Sequence, residues 1–340
     1  ALPGGLALVN VVSCMLFGAI SGSAVATTSA IGSFMLPEMK KAGYEPNFSA
    51  AVTAAASTTG MLIPPSNILI VYAIASGGVS IAALFMAGYI PGIMVGLALM
   101  LVCFIYAKMK GYPLSPRLPI KVVVEKTIAA LPSLFLIFLV IGGIVGGVFT
   151  ATEAGAIAVV YSLLLAVVFY KEVDAKALPD IFLKAAETTA IVMLLIAAST
   201  AMSWLLSFEN IPQTLSNALL SISDNPLLIL LLINLLLIVV GAFLDMTPAV
   251  LIFTPIFLPV ALELGMSELQ FGIMLVLNLS IGLCSPPVGA VLFITCAIAK
   301  TKLENIIRPL IPLYVAMFVV LMLVTYVAWF SEALPRALGF

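Results

Sequence analysis

Histidine is absent from the 340 residues, and charge is scarce: fourteen Lys and Arg and fifteen Asp and Glu make up 9% of the chain. The lack of histidine excludes a serine–histidine hydrolase, an imidazole metal site and a histidine proton relay. The lack of charge excludes the hydrated surface that a soluble domain of this length needs. No basic patch with interleaved aromatics is present, so nucleic-acid binding has no support. Four cysteines, Cys14, Cys103, Cys284 and Cys296, lie in apolar stretches without metal-ligand spacing and read as packing residues. No Walker loop is present, and no base accompanies any serine as an intramembrane protease would require.

What the chain has in quantity is apolar sequence, 63% of the residues. It falls in runs at 5–20, 24–37, 48–62, 67–76, 82–107, 132–149, 151–170, 185–207, 226–244, 248–262, 269–283, 289–299 and 309–330. Runs of this length separated by short polar turns predict an all-α polytopic membrane protein; a membrane barrel would alternate, and these do not. A full crossing takes roughly 20 residues, and several runs are shorter. The short ones come in pairs. Runs 5–20 and 24–37 flank "SGS", and 226–244 and 248–262 flank "DMT", each pair reading as a re-entrant hairpin. Runs 48–62 with 67–76, and 269–283 with 289–299, read as single crossings broken at "GMLIPPSN" and "GLCSPPVG".

The pairs repeat in order. A shift of 222 maps Ser23 onto Asp245, Pro37 onto Pro259, Gly43 onto Gly265, Gly60 onto Gly282 and Pro64-Pro65 onto Pro286-Pro287. That many landmarks at one spacing indicate an internal duplication. Five full crossings separate the two hairpins, an odd number, so the copies should be inverted. Charge agrees. Placing Lys40 and Lys41 inside also places Lys108, Lys110, Arg117, Lys121, Lys126, Lys171, Lys176, Lys184, Lys300, Lys302 and Arg308 inside, and leaves only Arg336 outside. The second copy begins near Pro119, so repeat arithmetic expects roughly a hundred residues of the first copy to be absent from the N-terminus.

Non-helical backbone at membrane depth strands N–H and C=O groups, and it persists only where protein or a polar cavity satisfies them. Two tips and two broken helices in inverted copies fit a secondary transporter with a midplane site. Unwound carbonyls and half-helix C-termini suit cations, and half-helix N-termini suit anions. The first copy offers Ser21, Gly22, Ser23, Thr27 and Thr28 at its tip, with Thr58, Thr59, the carbonyls of 60–65, Ser66 and Asn67 at its break. The second offers Asp245 and Thr247, then 282–287. Oxygen donors without thiolate or imidazole point to an alkali cation. Any one Ser or Thr here has a plain structural reading, a bond to its own helix or a neighbour's. Asp245 differs, because a carboxylate at membrane depth is costly unless it has a role. Glu153 and Glu187 read as interfacial.

At these residues the sequence resembles a known family. "SGSAVATTSAIGSFMLPEMKKAGY", "AAASTTGMLIPPSN", "TATEAGAIAVVY", "GAFLDMTPAVLIFTPIFLPVALELG" and "NLSIGLCSPPVGAVLF" together resemble the large membrane subunit of the tripartite ATP-independent periplasmic (TRAP) transporters, along essentially the whole chain. The resemblance implies an elevator-type transporter in the bacterial inner membrane. Residues 1–78 and 209–301 would form the moving transport domain, with 79–208 and the C-terminal helix region 302–340 as scaffold. It implies sodium-coupled symport of an organic acid, with sialic acid weakly favoured beside a C4-dicarboxylate. It also implies two partners, a small membrane subunit and a periplasmic substrate-binding protein. Carried onto this chain, one sodium falls among Ser21, Ser23, Gly60, Ile63 and Pro65, and a second among Asp245, Thr247, Gly282, Ser285 and Pro287. Substrate falls near Gly22, Thr27, Ser66, Asn67 and Met246. Relatives carry an acid shortly after the first tip where this chain has Ala26-Thr27, which leaves its first site with neutral oxygens only. The competing readings are a stand-alone sodium–dicarboxylate or citrate symporter and, from another class, a channel.

Overall fold

The structure, a computed structural model, describes residues 3–112, 119–211 and 225–340, with 214 and 218. Arg117, counted above among the inside charges, lies outside the described residues. The described elements are helices: α1 (Gly5–Ser21), α2 (Ala24–Lys41), α3 (Pro46–Ser57), α4 (Asn67–Ala75), α5 (Ile81–Lys110), α6 (Ile120–Val145), α7 (Ala151–Leu163, continued by a π turn at Leu164–Phe169), α8 (Leu178–Phe208), α9 (Pro226–Phe243), α10 (Met246–Glu263), α11 (Glu268–Leu283), α12 (Ala290–Ala299), α13 (Leu303–Tyr326) and α14 (Trp329–Ala337). Seven helices among the described residues are long and apolar enough to cross a membrane. The chain is a multi-pass membrane protein.

Local chemistry sets many of these boundaries. Gly22, in the left-handed region at φ 61°, ends α1, and Ser23 opens α2 by accepting from the N–H of Ala26 at 3.2 Å. Pro46 and Pro226 sit in the first turns of α3 and α9, where a missing N–H costs nothing. Thr150 and Glu153 form a reciprocal capping box at the start of α7, which gives "TATEAG" a structural role. Three helices differ from the apolar runs. α6 starts at Ile120 and passes through Pro132, and α8 starts at Leu178, because exposed charged residues extend each helix into water. The run 309–330 is two helices, broken at Val327–Ala328.

The chain divides into two compact units, Ala1–Ser115 with Ser199–Phe340, and Pro116–Ala198. In the smaller, α6 and α7 pack together, and the Tyr161 hydroxyl donates to the Pro132 carbonyl at 2.8 Å. Phe138, Val160 and Leu194 are exposed; an apolar exterior of this kind belongs in lipid or against another apolar surface.

The larger unit holds both helix pairs and both breaks. Its packing exchanges the two copies, with α1 to α5 answering to α9 to α13. α2 packs on α12, and correspondingly α10 on α4; α3 packs on α13, and correspondingly α11 on α5. The two broken helices run in opposite directions. The start of α3 lies beside the start of α13, where the Thr301 hydroxyl donates to Asn47 Oδ1 at 2.6 Å. The start of α11 lies at the other end of α13, where Gln270 Nε2 donates to the carbonyls of Val324 and Thr325 at 3.0 and 2.9 Å. Between those ends α13 runs 24 residues, about 36 Å at 1.5 Å each.

Candidate functional site

The breaks sit where two helices cross at glycine. A Cβ on Gly60 would lie 2.3 Å from Gly18 Cα, and a Cβ on Gly282 would lie 2.5 Å from Gly241 Cα. Neither crossing can close with any other residue. A buried asparagine on the first helix of each pair ties it to the broken helix as well. Asn10 Nδ2 donates to Thr53 Oγ1 at 2.7 Å, and Asn234 Oδ1 accepts from Asn278 Nδ2 at 2.7 Å. The two breaks also meet, because Cys284 Sγ contacts the Ala54 carbonyl at 3.5 Å and Thr58 Oγ1 at 3.8 Å.

At the first break, α3 ends at Ser57 and the backbone tightens into a 3₁₀ turn over Thr59–Met61. Met61 N–H donates to Thr58 O and Leu62 N–H to Thr59 O. Ser66 then donates to the Met61 carbonyl instead of capping α4. The carbonyls of Gly60, Ile63 and Pro65 accept no hydrogen bond among the described residues. The tip lies against this segment: a Cβ on Gly22 would meet Asn67 Cβ at 3.0 Å. Ser21, Ser23 and Thr27 form one cluster there, with Ser21 and Thr27 hydroxyls 3.1 Å apart and Thr27 donating to Ser23 O at 2.8 Å. Both Pro64-Pro65 and Pro286-Pro287 are cis.

At the second break the backbone groups are committed. Ser285 N–H donates to Gly282 O at 2.7 Å, and Ser285 Oγ donates to Ile281 O at 2.9 Å. Tyr314, from α13, donates to the Cys284 carbonyl, and its hydroxyl lies 2.8 Å from Ser285 Oγ. Pro287 is exposed. Asp245 stands at the N-cap of α10 without capping it, and its exposed carboxylate makes no hydrogen bond or ion pair among the described residues. Met246 is buried and Thr247 half-buried beside it.

The structure therefore brings Ser21, Gly22, Ser23, Thr27, Gly60, Ser66 and Asn67 to one place, around the first tip and break. It brings Gly241, one turn before Asp245, onto Gly282, but it joins Asp245 to neither Ser285 nor Pro287 by a hydrogen bond. Sequence reasoning missed Gly18, Gly241 and Tyr314. The two glycines are 223 apart, so a repeat scan tolerant of one residue finds them. Tyr314 has no counterpart at the repeat offset, where Gly92 stands, and only tertiary packing reveals it.

Residues 1–330 match the family described as tripartite ATP-independent periplasmic transporter, DctM component. YgiK of Salmonella typhimurium is 50% identical over 334 residues, 98% of this chain and 77% of that protein. The C4-dicarboxylate TRAP transporter large permease protein DctM of Pseudomonas aeruginosa is 39% identical over 336 residues, 99% of this chain and 78% of that one. The sialic acid TRAP transporter large permease protein SiaM of Vibrio cholerae is 36% identical over 335 residues, 98% and 78% respectively. With glycine-crossed breaks in two exchanged copies and these relatives at full chain coverage, the chain belongs to the tripartite ATP-independent periplasmic transporter family, as a large membrane permease.

Proposed function

We propose that this permease takes up an organic acid carboxylate across the bacterial inner membrane by sodium-coupled secondary transport, with the acid delivered by a periplasmic binding protein and a small membrane subunit bracing the assembly. The observation that carries this reading is the pair of abutting breaks, one with uncommitted carbonyls and one beside an uncommitted carboxylate. That donor set is oxygen only, which suits a hard alkali cation. Ser21, Ser23, Gly60, Ile63 and Pro65 would hold one sodium. Asp245, Thr247, Gly282, Ser285 and Pro287 would hold the second, with Asp245 as the one formal charge. Gly22, Thr27, Ser66, Asn67 and Met246 would face the substrate, whose carboxylate meets the free N–H groups opening α4.

The two helix pairs would be re-entrant hairpins, and transport would follow an elevator motion of 1–78 with 209–301. α5 and α13 pack on both breaks, which favours including them in the moving part, with α6 to α8 in the scaffold. Relatives named for C4-dicarboxylate and for sialic acid are 39% and 36% identical, so identity does not choose between these substrates. The test is uptake into vesicles with candidate acids and the cognate binding protein, with and without a sodium gradient at fixed pH. Uptake indifferent to sodium rejects the coupling. Uptake without the binding protein favours a stand-alone symporter.

A further inference from the structure

A polar cavity of about 390 Å³ lies away from the breaks. Glu45, Asn47, Tyr106, Lys110, Asn305, Arg308 and Pro309 line it, from the start of α3, the end of α5 and the start of α13. The acceptors of Glu45 and Asn47 are already committed. Glu45 Oε1 takes Lys110 Nζ at 2.8 Å, Glu45 Oε2 takes the Tyr106 hydroxyl at 3.2 Å, and Asn47 Oδ1 takes the Thr301 hydroxyl at 2.6 Å. That last bond orients the Asn47 amide, so its NH₂ is the end left over. Arg308 has no ion pair among the described residues, and its charge acts on both Tyr106 and Lys110. The cavity thus has donors to spare, a surplus positive charge and no free carboxylate oxygen.

Its wall is stiff, with Tyr106 stacked on Phe48 at 4.1 Å between ring centres and Tyr112 and Tyr44 packed beside them at 4.4 Å from each other. Lys40 and Lys300 line a neighbouring cavity that shares the start of α3. This end of the larger unit therefore gathers basic residues and tyrosines, the composition of a membrane–water boundary. Arg presents a planar fork of donors that matches phosphate oxygens, and Lys adds a point charge.

We propose that the cavity between Lys110 and Arg308 binds a phosphate group, either the phosphodiester of an anionic phospholipid or free phosphate. Basic pockets between membrane helices at headgroup level suit the lipid source. The site is independent of the transport reading, because its test is binding and not uptake.

The purified permease in detergent is titrated with phosphatidylglycerol, phosphatidylcholine or inorganic phosphate while its melting temperature is followed. Phosphatidylglycerol is expected to raise the melting temperature saturably, and phosphatidylcholine much less. Arg308→Gln is expected to raise the half-saturating lipid concentration by about tenfold, as losing a charge-assisted phosphate contact should. Asn47→Ala, which leaves both charges in place, should raise it by less. A saturable rise with inorganic phosphate that is equally sensitive to Arg308→Gln assigns the site to the free ion. No saturable rise with either ligand, or a rise untouched by both substitutions, overturns the proposal.

Discussion

At the first break the carbonyls of Gly60, Ile63 and Pro65 are left without hydrogen-bond donors, and Ser23 spends its hydroxyl on capping α2. At the second, the Gly282 carbonyl and the Ser285 hydroxyl are both engaged, Tyr314 holds the Cys284 carbonyl, and Asp245 leaves its helix uncapped. The scaffolding is shared, since each break is crossed by a glycine and tied by a buried asparagine. What differs is where the unsatisfied oxygens are. One copy exposes neutral backbone, and the other exposes a carboxylate while tying its backbone down. The neighbours explain part of the difference. The residues of α5 opposite the first break are Gly88 and Gly92, whose missing Cβ atoms let Leu62 and Ile63 approach; at the second break α13 offers Tyr314 instead. A duplicated frame can therefore present two unlike oxygen sites on one geometry.

The largest effect should come from filling either glycine crossing. Gly60→Ala and Gly282→Ala each put a methyl inside the van der Waals radius of backbone, which no rotamer change relieves. Both should abolish uptake and lower the melting temperature, whereas Gly155→Ala, with open space around it, should do neither. If only one crossing proves sensitive, the shared frame is not equally used.

Next in size is Asp245→Ala. Removing the uncommitted Asp245 carboxylate should raise the sodium concentration for half-maximal uptake by about tenfold or more, roughly 1.4 kcal/mol of binding. Ser23→Ala, at the equivalent tip, should cost about 1 kcal/mol of stability as a lost cap and move the sodium dependence far less. Equal shifts for the two would erase the contrast.

The smallest effect is expected for Tyr314→Phe. It frees the Cys284 carbonyl and one side of Ser285, at a net cost of about 1 kcal/mol for the lost hydrogen bonds. The sodium dependence should change by only a few-fold, and the sign is informative. A lower sodium requirement means the tyrosine competes with the ion for these oxygens; a higher one means it aims them.

Much of the frame was legible beforehand. The pairing of short runs around "SGS" and "DMT", the breaks at the Pro-Pro pairs and the shift of 222 correspond to helix ends that the structure places within a few residues. Glycine, proline and cap residues act on their own few neighbours, so their consequences can be read locally. The ligand-bearing oxygens were less legible. Ser66, expected from the sequence near the substrate, donates its hydroxyl backwards to Met61. Ser285, expected from the sequence in the second sodium site, has its hydroxyl held from both sides. The ends of α6, α8 and α13 were misplaced because hydropathy marks where lipid contact stops, and a helix continues until its hydrogen bonds do.

By itself the sequence determined the membrane class and the spacing of two matching copies, because hydropathy and spacing are one-dimensional quantities. Tertiary structure alone decided which glycines cross, which carbonyls stay open and that Lys110 and Arg308 share a cavity. Those outcomes depend on residues some 30 to 200 positions apart arriving at the same few ångströms, and no local pattern encodes that.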